Sequence, residues 1–488
     1  MKKFLLLSTL MIMISSSLLF SQGITDTLWY CAYATWDHPD ANATGYNTPS
    51  VGVLGPNKFV ALVNRPSNYT AYLVGYRDAD SMNGRLGTYG YGTAGVGGFR
   101  MQWVSGFDVI EMFLPWDVAA GFDSLIFVAN NDTLERNILV FYLGQDSVYS
   151  TEWRMSTGDT DPIFGIDIDS QGRVYVTKEA TSTTTGKVLV YRSIQDDPNW
   201  GGLHISTPLQ TITVPEPGRI RGVTVSPDGK LLYVSNYDQR KVYCYIGDPN
   251  QGYTLYSGFN FTLNDTIPNS GGNQPGPLGL KFMPGKNLLF VACDSLLGGG
   301  GSYPYGRAYI LNPNTGEVLG MIDAAAWNFK MTGAYNNRGD DGKQGNVSGY
   351  TSLYNVDVDN EFNVYTQSYY GWTVDKWIYD GTLPTIPITI LGVERLETIP
   401  EKFDLKQNYP NPFNPSTTIE FSITQKSKIS LTVYNLLGSK VTDLIDNSEF
   451  DAGTYRIEFN ASQLASGTYI YAITNGKEKI SKKMTLIK

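Results

Sequence analysis

Gly222-Val223-Thr224-Val225-Ser226-Pro227-Asp228-Gly229-Lys230-Leu231-Leu232-Tyr233-Val234 is the stretch that decides the fold of this 488-residue chain. An apolar run, a reversal at Pro227-Asp228-Gly229 and a second apolar run read as strand, tight turn, strand. The same grammar stands at Gly165-Ile166-Asp167-Ile168-Asp169-Ser170-Gln171-Gly172-Arg173-Val174-Tyr175-Val176. Asp169 and Pro227-Asp228 start the reversals, while Gly172 and Gly229 accept the positive φ with which the chain re-enters the sheet. Each unit runs on to a third strand, at 187–191 and at 241–245.

Working outward, weaker copies occupy residues 278–291 and 354–365. Two degenerate ones come earlier, at 116–143 and at 58–74. The matched second-strand positions Leu62, Val128, Val176, Val234, Val291 and Thr366 are 66, 48, 58, 57 and 75 residues apart, room for a four-stranded unit plus loops. No such unit can bury both faces alone, so the units stack radially and the ring closes. The chain therefore reads as all-β, with a six- or seven-bladed β-propeller over residues 22–380 and an extra strand at 26–36 completing the last blade. A β-sandwich with coincidental hairpins is the alternative, but it needs no repeated turn.

Residues 1–21 carry Lys2-Lys3, a short apolar run over 4–20 and then Ser21-Gln22, the pattern of a cleaved secretory signal. No later run is long enough to span a bilayer as a helix, so no integral membrane segment is expected in the mature chain. With 42% hydrophobic residues and 51 glycines, the chain is packed and turn-rich rather than disordered. Cys31, Cys244 and Cys293 are too few and too scattered for a disulfide framework or a cysteine zinc site, though one bridge is open to them. His38 and His204 stand far apart, which leaves no HExxH motif and speaks against a Ser-His-Asp triad.

Charge divides the chain. Residues 22–401 hold 24 Lys and Arg against 38 Asp and Glu, whereas residues 402–488 hold 11 against 8. An acidic body without a basic cluster repels polyphosphate, so nucleic acid is excluded as a partner. Residues 381–401, with Pro384, Pro387 and Pro400, read as part last strand and part linker.

In residues 402–488 alternation places Ile429, Leu431 and Val433 on one strand face, then Tyr455, Ile457 and Phe459 on another. Turn signals at Gly438, Ala452-Gly453, Ser466-Gly467 and Asn475-Gly476 separate the strands of a small immunoglobulin-like β-sandwich. Asn408-Tyr409-Pro410-Asn411-Pro412-Phe413-Asn414-Pro415 opens it. Val433-Tyr434-Asn435 with Gly438, Gly453-Thr454-Tyr455, Gly467-Thr468-Tyr469 and Lys482-Lys483 follow in order.

This set of landmarks resembles the type A C-terminal sorting domains of the type IX secretion system. The resemblance implies Sec-route export from a Gram-negative bacterium, recognition of residues 402–488 by the outer-membrane translocon, and a secreted or surface-held protein. The sorting residues it marks are Tyr409, Pro410, Asn411, Pro412, Gly438, Gly453, Tyr455, Gly467, Tyr469 and Lys483.

The body is similar to YVTN-type and lactonase-like propellers at 225–236, and the Gly165 unit resembles an NHL-type blade. Propellers host many activities, so this speaks to fold more than to function. In the gluconolactonase-like enzymes, the resemblance implies an Asn before the glycine of the strand ahead of Ser-Pro-Asp-Gly and an Asp after the Tyr-Val strand, holding calcium in the central tunnel. Here those places hold Arg221 and Asn236, and the sites before Gly165 and Gly279 are Phe164 and Leu278. Only Asp294, after Val291-Ala292-Cys293, keeps an acid.

The remaining metal candidates, Asp340 and Asp341, lie in an oxygen-rich stretch at 336–342 that lacks EF-hand spacing. Asp167/Asp169 and Asp357/Asp359 read as turn caps. Tyr303, Tyr305, Tyr369, Tyr370 and Trp372 are candidate sugar platforms. The expectation is a binding or interaction module for an extracellular glycan or protein ligand, with no cofactor. The runner-up is a calcium-dependent propeller hydrolase of the lactonase or esterase kind, whose mark would be convergent carboxylates at one tunnel mouth.

Overall fold

The computed structural model describes residues 26–34, 47–65, 70–76, 98–100, 112–121, 124–131, 137–144, 148–158, 161–178, 180–196, 204–267, 274–296, 305–332, 352–369, 373–389, 394–396, 400, 402–450, 452–461 and 464–487. Among these, the body consists of sheets of four or five strands, built mainly from consecutive antiparallel segments of chain, with His204–Ile205 added in parallel to Val148–Ser156. Their first strands are Asn47–Gly55, Asp117–Ala120, Ile163–Ile168, Ile220–Val225, Gly276–Met283 and Leu353–Val358. Each first strand packs on the first strand of the next sheet, and Leu353–Val358 packs back on Asn47–Gly55. A closed, propeller-like ring of inner strands results. The six matched positions from Leu62 to Thr366 all lie on second strands.

The ring is completed by exchange between distant parts of the chain. Trp29–Ala34 pairs antiparallel with Thr373–Tyr379, so the sheet that begins at Leu353 takes its outermost strand from the N-terminal part. Cys31 and Trp29 enter the same core as Trp377, Phe290 and Ile310. All three cysteines are buried, and none is in a disulfide among the described residues.

The turns obey the chemistry of the repeat. Gly172, Gly229 and Gly285 have φ of 75°, 76° and 80°. Asp169 Oδ1 accepts the Gln171 and Arg173 amides, and Asp359 Oδ1 accepts those of Glu361 and Asn363. Tyr175 and Tyr365 each donate a hydroxyl to the second carboxylate oxygen at 3.0 Å, which ties the second strand to the turn.

Residues 381–389 add no strand to the body sheets but lie along it as a strap. Asn287 Nδ2 donates to Ile386 O, Asn314 Nδ2 to Pro387 O, and the Thr389 amide to Asn314 Oδ1. Glu394–Leu396 pairs with Gly453–Asn460 of the C-terminal region. There, two four-stranded sheets enclose one core that includes Ile429, Leu431, Val433, Ile457 and Phe459.

Candidate functional site

The six inner strands of the described residues align position by position around the axis, and the first matched position, at or just before each strand's start, holds Pro49, Trp116, Phe164, Arg221, Leu278 and Tyr354. The next position holds Ser50, Asp117, Gly165, Gly222, Gly279 and Asn355. Two residues further on stand Gly52, Ala119, Asp167, Thr224, Lys281 and Asp357. Side chains alternate along a strand, so the second and third tiers, two residues apart, point the same way, toward the axis, whereas the first tier lies where the register shifts in most of these strands and lines the mouth.

The middle tier is split. A methyl built on Gly165 falls on the carbonyl oxygen of Arg221, and one on Gly222 falls on that of Leu278. On Gly279 it would stand 2.7 Å from Asn355 Cα. These three glycines let neighbouring inner strands approach backbone to backbone. On the other half of the ring the polar members meet: Ser50 Oγ and Asn355 Nδ2 donate to Asp117 Oδ1 at 2.7 and 2.8 Å, and the Ile166 amide donates to Oδ2 at 2.9 Å.

Burial pushes the Asp117 carboxyl from its ordinary 3.8 up to about 7, against the opposing pull of Ser50 and the Ile166 and Val118 amides. Because the folded value is raised, the protonated form is the stabilised one. Its contribution is complete below the unfolded-chain value and is lost as pH rises to about 7. Relative to Asp117→Asn, the natural protein should therefore lose of order 2 kcal/mol between pH 5 and pH 7, at about 1.4 kcal/mol per unit. Urea titrations of both proteins at pH 5, 6, 7 and 8 check this, and a constant difference would mean that Asp117 does not titrate there.

The lower tier is a buried charge relay across the axis. Lys281 Nζ lies 3.1 Å from Asp167 Oδ1 and 3.2 Å from Asp357 Oδ1. Burial alone would drive its proton off, but the two carboxylates hold the ammonium above its ordinary range. The second oxygens bind the neighbouring strand: Asp167 Oδ2 accepts Thr224 Oγ1 and the Val225 amide, and Asp357 Oδ2 accepts the Val53 amide at 2.7 Å. Asp169 and Asp359 are the turn caps expected of them, whereas Asp167 and Asp357 are axial. The repeat grammar could have found this tier, since the residue two after the repeat glycine is polar in every clear copy.

The upper tier forms the mouth, a pocket of about 30 Å³ lined among others by Trp116, Phe164, Arg221, Leu278, Leu296 and Tyr354. Trp116 stacks on Tyr369 at 5.9 Å and Tyr369 on Tyr354 at 4.3 Å, while the Arg221 guanidinium lies 3.7 Å from the Phe164 ring centre. Of the expected sugar platforms, Tyr369 is brought here. Tyr305 is instead buried in a core with Phe261 and Tyr309 and donates to Asp265. Tyr303, Tyr370, Trp372, Asp340 and Asp341 lie outside the described residues, as do residues 1–21.

The calcium positions do not fit that ion. Calcium takes about six to eight oxygen ligands, and Phe164, Arg221 and Leu278 offer apolar surface and a cation. Asn236 Nδ2 is spent on the Glu216 carbonyl and its Oδ1 on the Gln239 amide. Asp294 is fully buried and accepts the Ser295 amide. Among the described residues no group of three or more His, Cys, Asp or Glu converges in the manner of a metal site.

On the same end of the ring, about 960 Å³ of open cleft lies over the strands Val174–Lys178 and Thr185–Tyr191, lined by Thr157, Asp161, Lys178, Thr185, Lys187, Arg219 and their neighbours.

In the C-terminal region the sorting landmarks staple the first segment to the last strand. Asn408 Nδ2 donates to Pro410 O, Asn411 Oδ1 accepts the Thr485 amide, and Tyr409 exchanges backbone hydrogen bonds with Thr418 while its ring is 81% exposed. Tyr409-Pro410 and Asn411-Pro412 are cis. Gly438 turns with φ of 81°, Gly453 pairs with Ile423, Tyr455 is core, and Gly467 pairs with Leu486. Tyr469 donates to Ala465 O, and Lys483 is exposed opposite Ile470.

Residues 407–488 match the secretion system C-terminal sorting domain family, and this segment is a type IX sorting domain. It implies export to the cell surface or beyond. No curated protein matches the chain. Among solved structures, a Lactobacillus plantarum protein is 11% identical with a TM-score of 0.38, over 85% of this chain and 88% of that one. The calcium-binding protein regucalcin from Agrobacterium tumefaciens is 10% identical with a TM-score of 0.36, over 72% and 98%. A putative 6-phosphogluconolactonase from Bacteroides uniformis is 12% identical with a TM-score of 0.33, over 70% and 86%.

Proposed function

We propose that, with its C-terminus a type IX sorting domain, this chain is an exported six-bladed β-propeller that works as a binding module for an extracellular glycan or protein ligand. Residues 1–21 are its signal peptide, residues 22–380 the propeller, residues 381–401 the connector, and residues 402–488 an immunoglobulin-like sandwich read by the outer-membrane translocon. The observation that carries the binding reading is the axis itself. Its carboxylates are committed to Lys281, to hydroxyls and to backbone amides, and its mouth presents aromatic rings and one guanidinium. A hydrolase would want carboxylates and amides converging on an open pocket.

The test is calcium calorimetry on the chain lacking residues 1–21, with melting curves in calcium and in chelator and an assay on lactone and aryl-ester substrates. The expected outcome is no calcium heat, one melting temperature and no hydrolysis. Single-site calcium binding with metal-dependent turnover would replace the binding module by the enzyme.

A further inference from the structure

The C-terminal sandwich buries most of its apolar side chains, and the exceptions are not scattered. Among the described residues from 402 onward, four large apolar side chains stay exposed: Tyr409, Leu436, Leu437 and Ile487. Strand register brings them toward one end of the sandwich. Leu436 and Leu437 follow Asn435, which lies opposite Tyr469, itself opposite Met484. Ile487 follows Leu486, which bridges Phe413, so the segment that passes through Tyr409 runs to the same end. Two turns at the other end, Thr424-Gln425-Lys426 and Asn475-Gly476-Lys477-Glu478, are polar.

The turn that carries the two leucines is locked by other residues. Asn435 Oδ1 accepts the Leu437 amide at 3.0 Å and the Ser439 amide at 2.9 Å, and Gly438 supplies φ of 81°. An Asx cap and a glycine complete such a turn whatever side chains stand between them, and polar ones are the usual choice. Leu437 is nevertheless 91% exposed and Leu436 62% exposed, so the core gains little from either. Apolar side chains clustered on a surface mark an interaction site, and a fixed turn lowers the entropy cost of seating them in a partner.

The partner follows from what holds this end together. Asn435, Gly438 and Tyr409 are among the ordered landmarks of the segment, and it is this segment that matches the sorting-domain family. A ligand particular to this chain would be met by its particular body, whereas a sorting domain answers to the secretion machinery. We propose that the Leu436-Leu437 turn, with Tyr409 and Ile487 toward the same end, docks into an apolar pocket of the type IX secretion machinery. The proposal rests on the sorting reading of residues 402–488 and names the surface and the chemistry through which that reading works.

The decisive variant carries Leu436→Ser and Leu437→Ser in the full chain, produced in a bacterium that has the type IX system. Quantitative immunoblots of periplasm, cell surface and medium give the exported share. The natural chain should be found outside the cell, and the exported share of the serine variant should fall about tenfold or more, the scale of one leucine no longer buried in a partner. Its melting temperature should stay within about 2 °C of the natural value, because exposed side chains are being changed, so lost export cannot be put down to unfolding. Leu436→Met with Leu437→Met keeps the apolar surface and should be exported nearly as the natural chain. Natural export of the serine variant, or an equal loss in the methionine variant, would overturn the assignment. A concentration-dependent dimer of the natural chain that the serine variant abolishes would put a second copy in the place of the machinery. Each of those three results leaves the sorting reading standing, whereas retention of the natural chain in the periplasm would remove both.

Discussion

Lys281→Met should cost about 3–5 kcal/mol of stability, the penalty for removing the single cation from between two buried carboxylates. Methionine fills much of the lysine stem's volume, so the loss is electrostatic rather than a cavity. Asp167 and Asp357 would then face one another across the axis with no ammonium between them, 3.1 and 3.2 Å from where it stood. They cannot simply turn away, because their second oxygens hold the Val225 and Val53 amides of neighbouring sheets. Urea unfolding at pH 7 measures the loss. The triple variant Lys281→Met, Asp167→Asn, Asp357→Asn should recover a large part of it, since replacing a buried ionic set as a whole is far less costly than breaking it. If the single and triple variants were equally destabilised, the charge relay would not be what links these sheets.

Gly222→Ala should cost about 2–3 kcal/mol, an effect out of proportion to one methyl group. The added carbon lands on the Leu278 carbonyl oxygen, and the Leu280 amide nitrogen is 3.0 Å away. Both are backbone atoms of an inner strand, so no side-chain rotamer can yield, and two sheets must part where the ring is tightest. Gly467→Ala is the control. Its added methyl meets nothing within 4 Å, and its change should stay within about 0.5 kcal/mol. An equal effect at both positions would place the origin of the Gly222 cost in backbone conformation and not in packing between sheets.

The turns of the repeat were legible in the chain because their chemistry is local. Asp169 caps its own next residues, Gly229 needs positive φ for its own reversal, and both signals survive without knowledge of any neighbour. The sorting segment was legible for a related reason: its landmarks are many, ordered and close together. The axial site was not. Asp167 and Asp169 stand two residues apart with the same chemistry, yet one caps a turn and the other binds Lys281, more than a hundred residues away. Gly165 and Gly222 read as strand openings, but their smallness is demanded by the carbonyl of the following sheet.

Sequence alone thus determined an all-β chain of repeated hairpins with a type IX sorting domain at its end, since strand alternation, turn residues and a dense motif act within a few residues. Only the tertiary structure decided what occupies the axis and the cleft. The pairing of Lys178 with Lys187 depends on strand register, and the meeting of Asp117, Ser50 and Asn355 depends on closure of the ring, and both are set by contacts between residues that the chain itself keeps apart.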